Sequence, residues 1–181
     1  KNEGFRTILK YTLRRFSKLY ANQYFACSEK AGRWLFGNRT YEAGKVRFIP
    51  NALFFNKFNQ KISEDEKRKL NINNKSIVIG HVGRLTFAKN QLFLIDIFNE
   101  IHKKNDNAIL LLAGQGPLQE EIKNKVHELG LESKVKFLGQ INDTYKLYQA
   151  LDIFVLPSLY EGLPVVGVEA QATGVLCELS N

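Results

Sequence analysis

The spacing of apolar and polar residues changes along the chain, and it begins with a helical pattern. Over residues 4–20 apolar side chains recur at helical intervals, while Arg6, Lys10, Arg14 and Lys18 lie away from that stripe. The pattern predicts an amphipathic helix, which either packs on a core or lies on an anionic membrane surface.

Short elements are predicted after this helix. Two apolar segments, residues 24–27 and 46–49, read as strands, and Ser28 is placed to cap a short helix that ends at Phe36. The polar stretch that follows is interpreted as a connecting segment with a short helix over residues 64–70.

From residue 76 onward, apolar strands and helices alternate regularly. Strands are predicted at residues 77–82, 108–113, 135–138, 153–156 and 176–179. Helices are predicted at residues 90–103, 117–129, 144–150 and 163–173. Strands without alternating polarity, separated by helices, are typical of βαβ units whose parallel sheet is covered on both faces. The sequence therefore predicts an α/β fold with a doubly wound parallel sheet.

Composition argues against several classes of protein. The chain has 181 residues, 44% hydrophobic and 24% charged, which is close to an ordinary globular mixture. Cys27 and Cys177 have no metal-ligand or redox spacing, which suggests a reducing compartment. No apolar run reaches the roughly 18 residues that a bilayer span needs. A disulfide scaffold, a membrane span and a collagen-like fibre are thus not expected.

Charge is distributed unevenly. The net charge is +8, and residues 1–50 carry all of the excess, with 11 Lys and Arg against 3 Asp and Glu. The remainder of the chain is balanced, which argues against a nucleic-acid-binding function for it. The chain also contains no Met, so we expect it to be a partial or processed sequence.

The first candidate site is the loop that follows the strand at residues 77–82. Ligands of open α/β sheets bind beyond the carboxyl ends of the strands, so such loops matter most. This one begins at Gly83 and holds Arg84 and Lys89 beside the start of a helix. A guanidinium, an ammonium and a helix dipole could together cradle a diphosphate. The alternative is a solvated loop with ordinary surface cations.

The second candidate is the turn Gly114-Gln115-Gly116-Pro117. Glycine permits tight turning, and proline suits the first turn of a helix. The third glycine and the strand-end acid of a dinucleotide fingerprint are missing, so a plain turn is at least as consistent as a ligand loop. The same absence argues against a dinucleotide-dependent oxidoreductase.

The third candidate spans residues 158–169 and contains Glu161 and Glu169 in an otherwise apolar segment. Carboxylates are rarely buried without partners, so these two require hydroxyl donors or cations. The hydroxyls of a sugar and of a ribose would serve. The alternatives are a charge at a helix N-terminus for Glu161 and a surface salt bridge for Glu169.

Taken together, these loops and the segment Phe137-Leu138-Gly139 resemble the C-terminal, donor-binding domain of group 1 (family 4) retaining glycosyltransferases. Those enzymes have the GT-B fold of two Rossmann-like domains. Upstream, Ala26-Cys27-Ser28 and Ile49-Pro50-Asn51-Ala52 resemble the end of the family's N-terminal domain and the interdomain crossing. Ala52 stands where the family usually has glycine.

The resemblance implies a domain organisation. Residues 1–50 would be the remnant of an acceptor-side N-terminal domain, and residues 51–75 a linker and connecting segment. Residues 76–181 would form a Rossmann-like domain that binds a nucleotide-sugar and is truncated at its C-terminus. On this interpretation the chain alone does not transfer sugar.

The resemblance also implies roles for individual residues. Arg84 and Lys89 would bind the donor's diphosphate and stabilise the leaving group, and Glu161 would face the transferred sugar. Glu169 would accept hydrogen bonds from the ribose hydroxyls. Further donor-binding positions would be Gly83, Gly114, Gly116, Leu138, Gly162, Leu163 and Val165.

The implied function is that of a partial hexosyltransferase, which retains the anomeric configuration and needs neither a metal ion nor another cofactor. Its donor would be a UDP- or GDP-linked sugar and its acceptor a saccharide or a lipid-linked saccharide, with no nucleic-acid partner. The segment Tyr160-Glu161-Gly162-Leu163-Pro164 resembles members that build capsular polysaccharides or exopolysaccharides. We expect a cytoplasmic protein whose basic residues 1–18 contact the anionic inner face of the membrane. The alternative is a non-catalytic remnant or interaction module that binds nucleotide without turnover.

Overall fold

The computed structural model describes residues 9, 12, 13, 16, 20–53, 56, 58, 65–161 and 164–180. The chain divides into two compact units, Lys1–Ala52 and Leu53–Asn181. Most of the predicted helix over residues 4–20 lies outside the described residues. None of the helices in the described part of the chain has the length and apolar character that crossing a bilayer requires.

Residues 24–48 of the first unit contain a small parallel sheet and two short helices. Its elements are β1 (Tyr24–Ala26), α1 (Glu29–Phe36), α2 (Asn38–Glu42) and β2 (Val46–Phe48). β1 and β2 pair in parallel. The Ser28 hydroxyl accepts the Ala31 N–H at 3.2 Å, which confirms the predicted helix cap. The pattern did not predict α2, which begins directly after Gly37, a residue with φ of 80°.

The second unit is built on a five-stranded parallel sheet with the strand order β5-β4-β3-β6-β7. Its strands are β3 (Ile77–Val82), β4 (Ala108–Ala113), β5 (Val135–Gly139), β6 (Ile153–Leu156) and β7 (Leu176–Leu179). Its helices are α3 (Asp65–Lys69), α4 (Gln91–Lys104), α5 (Gln119–Glu128), α6 (Thr144–Ala150) and α7 (Val165–Ala172). The predicted α/β class and doubly wound parallel sheet are confirmed.

Each face of this sheet has its own apolar core. Leu110 and Leu112 of β4 pack in a cluster with residues of α4 and α5. Leu111, between them, belongs to the cluster that α6 and α7 complete on the other face. Because both faces are covered, every position of the strand is buried or half-buried, which explains the continuous apolar run in the sequence.

Two helices, α4 and α5, begin one or two residues later than the pattern predicts. A short 3₁₀ turn, Phe87–Lys89, and Asn90 in the left-handed region precede α4. α5 begins at Gln119 rather than at residue 117, and the Leu118 N–H donates to the Leu85 carbonyl at 3.3 Å. The residues between strand and helix thus make backbone contacts with other loops, which a local periodicity does not reveal.

Candidate functional site

The strand order of the sheet reverses between β3 and β6, because β4 lies on one side of β3 and β6 on the other. The loops that follow these two strands therefore leave the sheet in different directions and open a crevice at its carboxyl edge. The first candidate loop follows β3 and the third follows β6. Two of the three predicted loops thus meet at the place where such sheets bind ligands.

Backbone hydrogen bonds join the loops along this edge. The loop after β3 bonds to the loop after β4, which in turn bonds to the end of β5, and the loop after β6 bonds back to the first. The bonds are Gly83 N to Ala113 O (2.9 Å), Leu85 N to Gln115 O (3.1 Å), Gly114 N to Gly139 O (2.7 Å) and Leu159 N to Ala88 O (2.9 Å). The candidate segments therefore form one connected surface.

The two glycines of the second loop are required by this close approach. Gly114 has φ of 134°, and a Cβ there would lie 2.0 Å from the Gly83 carbonyl oxygen. A Cβ at Gly116 would lie 2.2 Å from the Leu85 carbonyl oxygen. Both distances are far inside van der Waals contact, so these glycines allow the second loop to pack directly against the first.

Lys89 and Glu161 form an ion pair across the crevice. Lys89 ends the 3₁₀ turn after β3, and its Nζ donates to Oε1 of Glu161, in the loop after β6. The two side chains are 20% and 22% exposed, so a ligand in the crevice can reach both of them. An ammonium in this position can exchange the carboxylate for a phosphate oxygen.

Arg84 is placed differently from Lys89. Its side chain is exposed and has no hydrogen bond or ion pair with any residue that the structure describes. Of the three residues predicted to be catalytic, the structure therefore brings Lys89 and Glu161 into contact and leaves Arg84 at the surface of the same loop.

Glu169 is held by two hydroxyl groups of α6. Its Oε2 accepts hydrogen bonds from Thr144 Oγ1 at 3.2 Å and from Tyr148 Oη at 3.0 Å. Tyr148 Oη also lies 3.1 Å from the Val166 carbonyl oxygen. Burial, with the nearby Glu169 charge, raises the pKa of Tyr148. The phenol therefore stays protonated and remains a donor.

Two further predicted positions, Leu138 and Val165, lie at this edge of the sheet. Leu138, near the end of β5, lines a cavity of about 470 Å³, which is also bordered by Leu70, Ile141 and Lys146. Val165 is the first residue of α7 and is exposed. Gly162 and Leu163 lie outside the described residues. In the part of the chain that is described, no cluster of three His, Cys, Asp or Glu side chains is arranged to hold a metal ion.

The sequence interpretation missed a buried polar pair beneath the first loop. His81 of β3 and Gln91 of α4 are both fully buried, and their Nε2 atoms lie 3.1 Å apart. Burial lowers the pKa of His81 from 6.5 to about 4, and the Lys89 charge acts in the same direction. A histidine inside an otherwise apolar strand was the signal that could have revealed this pair.

The chain is similar to known glycosyltransferases. The family profile described as "Glycosyl transferases group 1" matches residues 62–181. The chain is 40% identical over 158 residues to "Putative glycosyltransferase EpsF" of Bacillus subtilis. It is 36% identical over 142 residues to the "UDP-Gal:alpha-D-GlcNAc-diphosphoundecaprenol alpha-1,3-galactosyltransferase" of Escherichia coli. The alignments cover 86% and 76% of this chain but only 41% and 37% of those relatives.

A solved structure shares the fold. Anabaena Alr3699/HepE, crystallised in complex with UDP-glucose, superposes with a TM-score of 0.82 at 24% sequence identity. The superposition covers 98% of this chain and 50% of that one. The chain thus spans half or less of the length of these three proteins.

Proposed function

This chain belongs to the group 1 glycosyltransferases, and on that basis we propose that the protein transfers a hexosyl group from a nucleoside-diphosphate sugar to a saccharide or lipid-linked acceptor. In this proposal residues 76–181 bind the donor. Transfer proceeds with retention, in the biosynthesis of a capsular polysaccharide or an exopolysaccharide.

The observation that carries the proposal is the Lys89–Glu161 pair in the crevice between β3 and β6. A diphosphate in this crevice would meet the Lys89 ammonium and, from the same loop, the Arg84 guanidinium. Both cations would stabilise the negative charge that develops on the departing nucleoside diphosphate. Glu161, once separated from Lys89, would accept hydrogen bonds from hydroxyls of the sugar.

The rest of the donor fits the neighbouring groups. Two hydroxyl groups already donate to Oε2 of Glu169 and orient this side chain. Neither of them donates to Oε1, so in this proposal Oε1 accepts hydrogen bonds from the ribose hydroxyls. We propose that the nucleobase lies near Leu138 and the turn Gly114–Gly116, beside a cavity of the size common for ligand sites. Backbone at Gly83, Gly162, Leu163 and Val165 would border the sugar and the phosphates.

The chemistry of transfer can be written without a protein nucleophile. The bond between the anomeric carbon and the phosphate oxygen breaks, and the nucleoside diphosphate leaves with the electron pair. The acceptor hydroxyl oxygen bonds to the anomeric carbon on the same face, and its proton passes to the departing phosphate oxygen. The protein's part in this step is to hold the donor and to stabilise the leaving charge.

The relatives favour a UDP-linked donor as the first to test. The Escherichia coli relative is named for a UDP-linked galactose and a diphosphoundecaprenol-linked acceptor. The Anabaena protein was crystallised with UDP-glucose. A lipid-linked acceptor would also agree with a protein that works at the inner face of the membrane.

Calorimetric titration with UDP, GDP and ADP tests the donor site. We expect one nucleotide to bind selectively. Arg84→Ala and Glu169→Ala should each lower its affinity about tenfold, because each removes one charge-assisted hydrogen bond. Lys104→Ala is the control, because this exposed lysine ends α4 at the opposite edge of the sheet. A folded chain that binds none of the three would contradict the proposal.

Transfer itself separates this proposal from its alternative. Release of nucleotide that depends on an acceptor, measured with the nucleotide-sugar that binds, supports a glycosyltransferase. Nucleotide binding without any transfer by the full-length protein would favour a non-catalytic nucleotide-binding module.

A further inference from the structure

Two buried polar side chains lie beneath the loop that carries Arg84 and Lys89, and the donor chemistry proposed above uses neither of them. His81 lies in β3, and Gln91 is the first residue of α4. Both are fully buried. Polar side chains are seldom buried in this way unless their hydrogen bonds perform a task in the fold or the site.

The hydrogen bonds of this pair can be assigned from chemistry alone. His81 Nδ1 lies 3.0 Å from the Val155 carbonyl oxygen, which can only accept, so Nδ1 carries the proton. In a neutral imidazole Nε2 is then an acceptor, and it receives an N–H of Gln91 at 3.1 Å. The Gln91 amide nitrogen also donates to the Arg84 carbonyl oxygen at 3.0 Å.

These bonds fix the orientation of the Gln91 amide. In the opposite orientation, Oε1 would face two acceptors, His81 Nε2 and the Arg84 carbonyl oxygen. In the observed orientation, Oε1 is buried without a hydrogen bond to any described residue. An unsatisfied buried oxygen is destabilising. The Gln91 amide therefore makes its two N–H hydrogen bonds at the cost of leaving its own Oε1 unpaired among the described residues.

The result is a continuous chain of bonds from the sheet to the loop. It runs from Val155 of β6 through His81 of β3 and Gln91 of α4 to the backbone of Arg84. Gly83 lies over the imidazole, since a Cβ there would be 3.2 Å from His81 Nε2 and 3.4 Å from Lys89 Cε. The loop is therefore held by two fully buried side chains, His81 and Gln91, which are not themselves exposed in the crevice.

We propose that His81 and Gln91 are positioning residues. They hold the Arg84 carbonyl and thereby keep Arg84 and Lys89 in the position required to bind a diphosphate. This inference rests on the proposed donor site. It assigns to the buried pair a role in phosphate binding that is separate from recognition of the base or the ribose.

The test compares a diphosphate with its nucleoside on Gln91→Leu, which fills the same space but donates no hydrogen bond. The probes are UDP and uridine, or GDP and guanosine if the wild type prefers GDP, titrated by NMR or calorimetry. We expect the affinity for the diphosphate to fall about tenfold, because both cations lose their support, and the affinity for the nucleoside to stay unchanged.

Ile95→Val is the matched control. Ile95 is fully buried in the same helix one turn further on, so this change loosens the packing of α4 without removing a bond to the loop. It should lower the melting temperature and leave both affinities as they are. His81→Phe is the second variant. It keeps an aromatic ring and the Gln91–Arg84 bond but removes the bonds from His81 to Val155 and to Gln91, which orient the Gln91 amide, so it should reproduce the selective loss.

The outcomes separate this inference from the function on which it rests. If no nucleoside diphosphate binds the wild type, the proposed function is wrong and this inference fails with it. If the wild type binds and both folded variants bind equally well, the positioning role alone is wrong. An equal loss for diphosphate and nucleoside, or two variants that do not fold, would show a purely structural pair and would overturn the inference.

Discussion

At the scale of single residues, Lys89 and Glu161 neutralise each other, and a phosphate that binds Lys89 would have to displace Glu161. The pair is only about one-fifth exposed, so each group loses part of its solvation and depends on its partner. A bare nucleoside diphosphate would take Lys89 and leave Glu161 without a cation. A nucleotide-sugar would take Lys89 and offer Glu161 the hydroxyls of the sugar. If the donor binds here as proposed, the pair would favour the nucleotide-sugar over the bare diphosphate.

Glu161→Gln tests this interpretation. Because the neutral amide no longer competes for Lys89, we expect the affinity for the bare diphosphate to rise about fivefold, on the order of 1 kcal/mol. The preference for the nucleotide-sugar over the diphosphate should fall. Titration with both ligands measures this ratio. Asp96→Asn is the control: it breaks the Lys125–Asp96 ion pair between α4 and α5 and should leave both affinities unchanged. A weaker diphosphate complex in Glu161→Gln would contradict the prediction.

His81 should make the stability of the fold depend on pH. The native state keeps this group neutral down to about pH 4, whereas the unfolded chain binds the proton near pH 6.5. Stability is therefore unaffected by His81 above pH 6.5 and decreases as the pH falls from 6.5 toward 4, by about 3 kcal/mol in all. Urea unfolding at pH 7, 6 and 5 measures the slope. His81→Phe should flatten the curve in this window, and an unchanged slope would assign the pH dependence to other groups.

At the scale of elements, the contact between the loops after β3 and β4 sets the shape of the site. Gly114→Ala introduces a Cβ 2.0 Å from the Gly83 oxygen, so we expect it to destabilise the fold by about 3 kcal/mol or more and to displace the first loop. Gly130→Ala is the control, since Gly130 also has a positive φ, of 66°, but open space around it. It should cost only about 1–2 kcal/mol.

Thermal unfolding and nucleotide titration together check this prediction. Gly114→Ala should weaken nucleotide binding even at a temperature where the variant is fully folded. Gly130→Ala should bind like the wild type. Equal effects of the two substitutions on stability would show that the backbone conformation, and not the contact between the loops, determines the need for glycine.

The sequence predicts the elements of the sheet well because the strands are buried on both faces. All five strands of this sheet were predicted from their apolar runs. Lys89 was singled out as a cation in the loop after β3, and Glu161 as a carboxylate in the otherwise apolar loop after β6. The resemblance of these loops to group 1 glycosyltransferases is likewise confirmed by the family match.

The parts that the sequence did not predict depend on contacts between distant segments. The start of α5 is set by a bond from Leu118 to Leu85, and Glu169 is held by Thr144 and Tyr148 of another helix. The buried bond between His81 and Gln91 joins a strand to a helix. None of these pairings has a local periodicity, so each became visible only when the elements were assembled.

At the scale of the whole molecule, the charge and the candidate site belong to different units. The excess of +8 lies within residues 1–50, whereas the residues proposed to bind the donor lie between residues 83 and 169. We propose that the basic residues 1–18 bring the protein to an anionic membrane surface, where a lipid-linked acceptor would be found. The two functions should therefore be separable by mutation.

Replacing Arg6, Lys10, Arg14 and Arg15 by Gln tests this separation. Each cation near an anionic surface contributes about 1 kcal/mol, so we expect partitioning to vesicles with phosphatidylglycerol to fall by at least a hundredfold. Vesicles of phosphatidylcholine alone are the control and should bind neither protein. The nucleotide affinity of the fourfold variant should equal that of the wild type, because the residues proposed to bind the nucleotide-sugar lie in the second unit. Unchanged partitioning would refute membrane attachment through this segment, and a loss of nucleotide binding would refute the independence of the two functions.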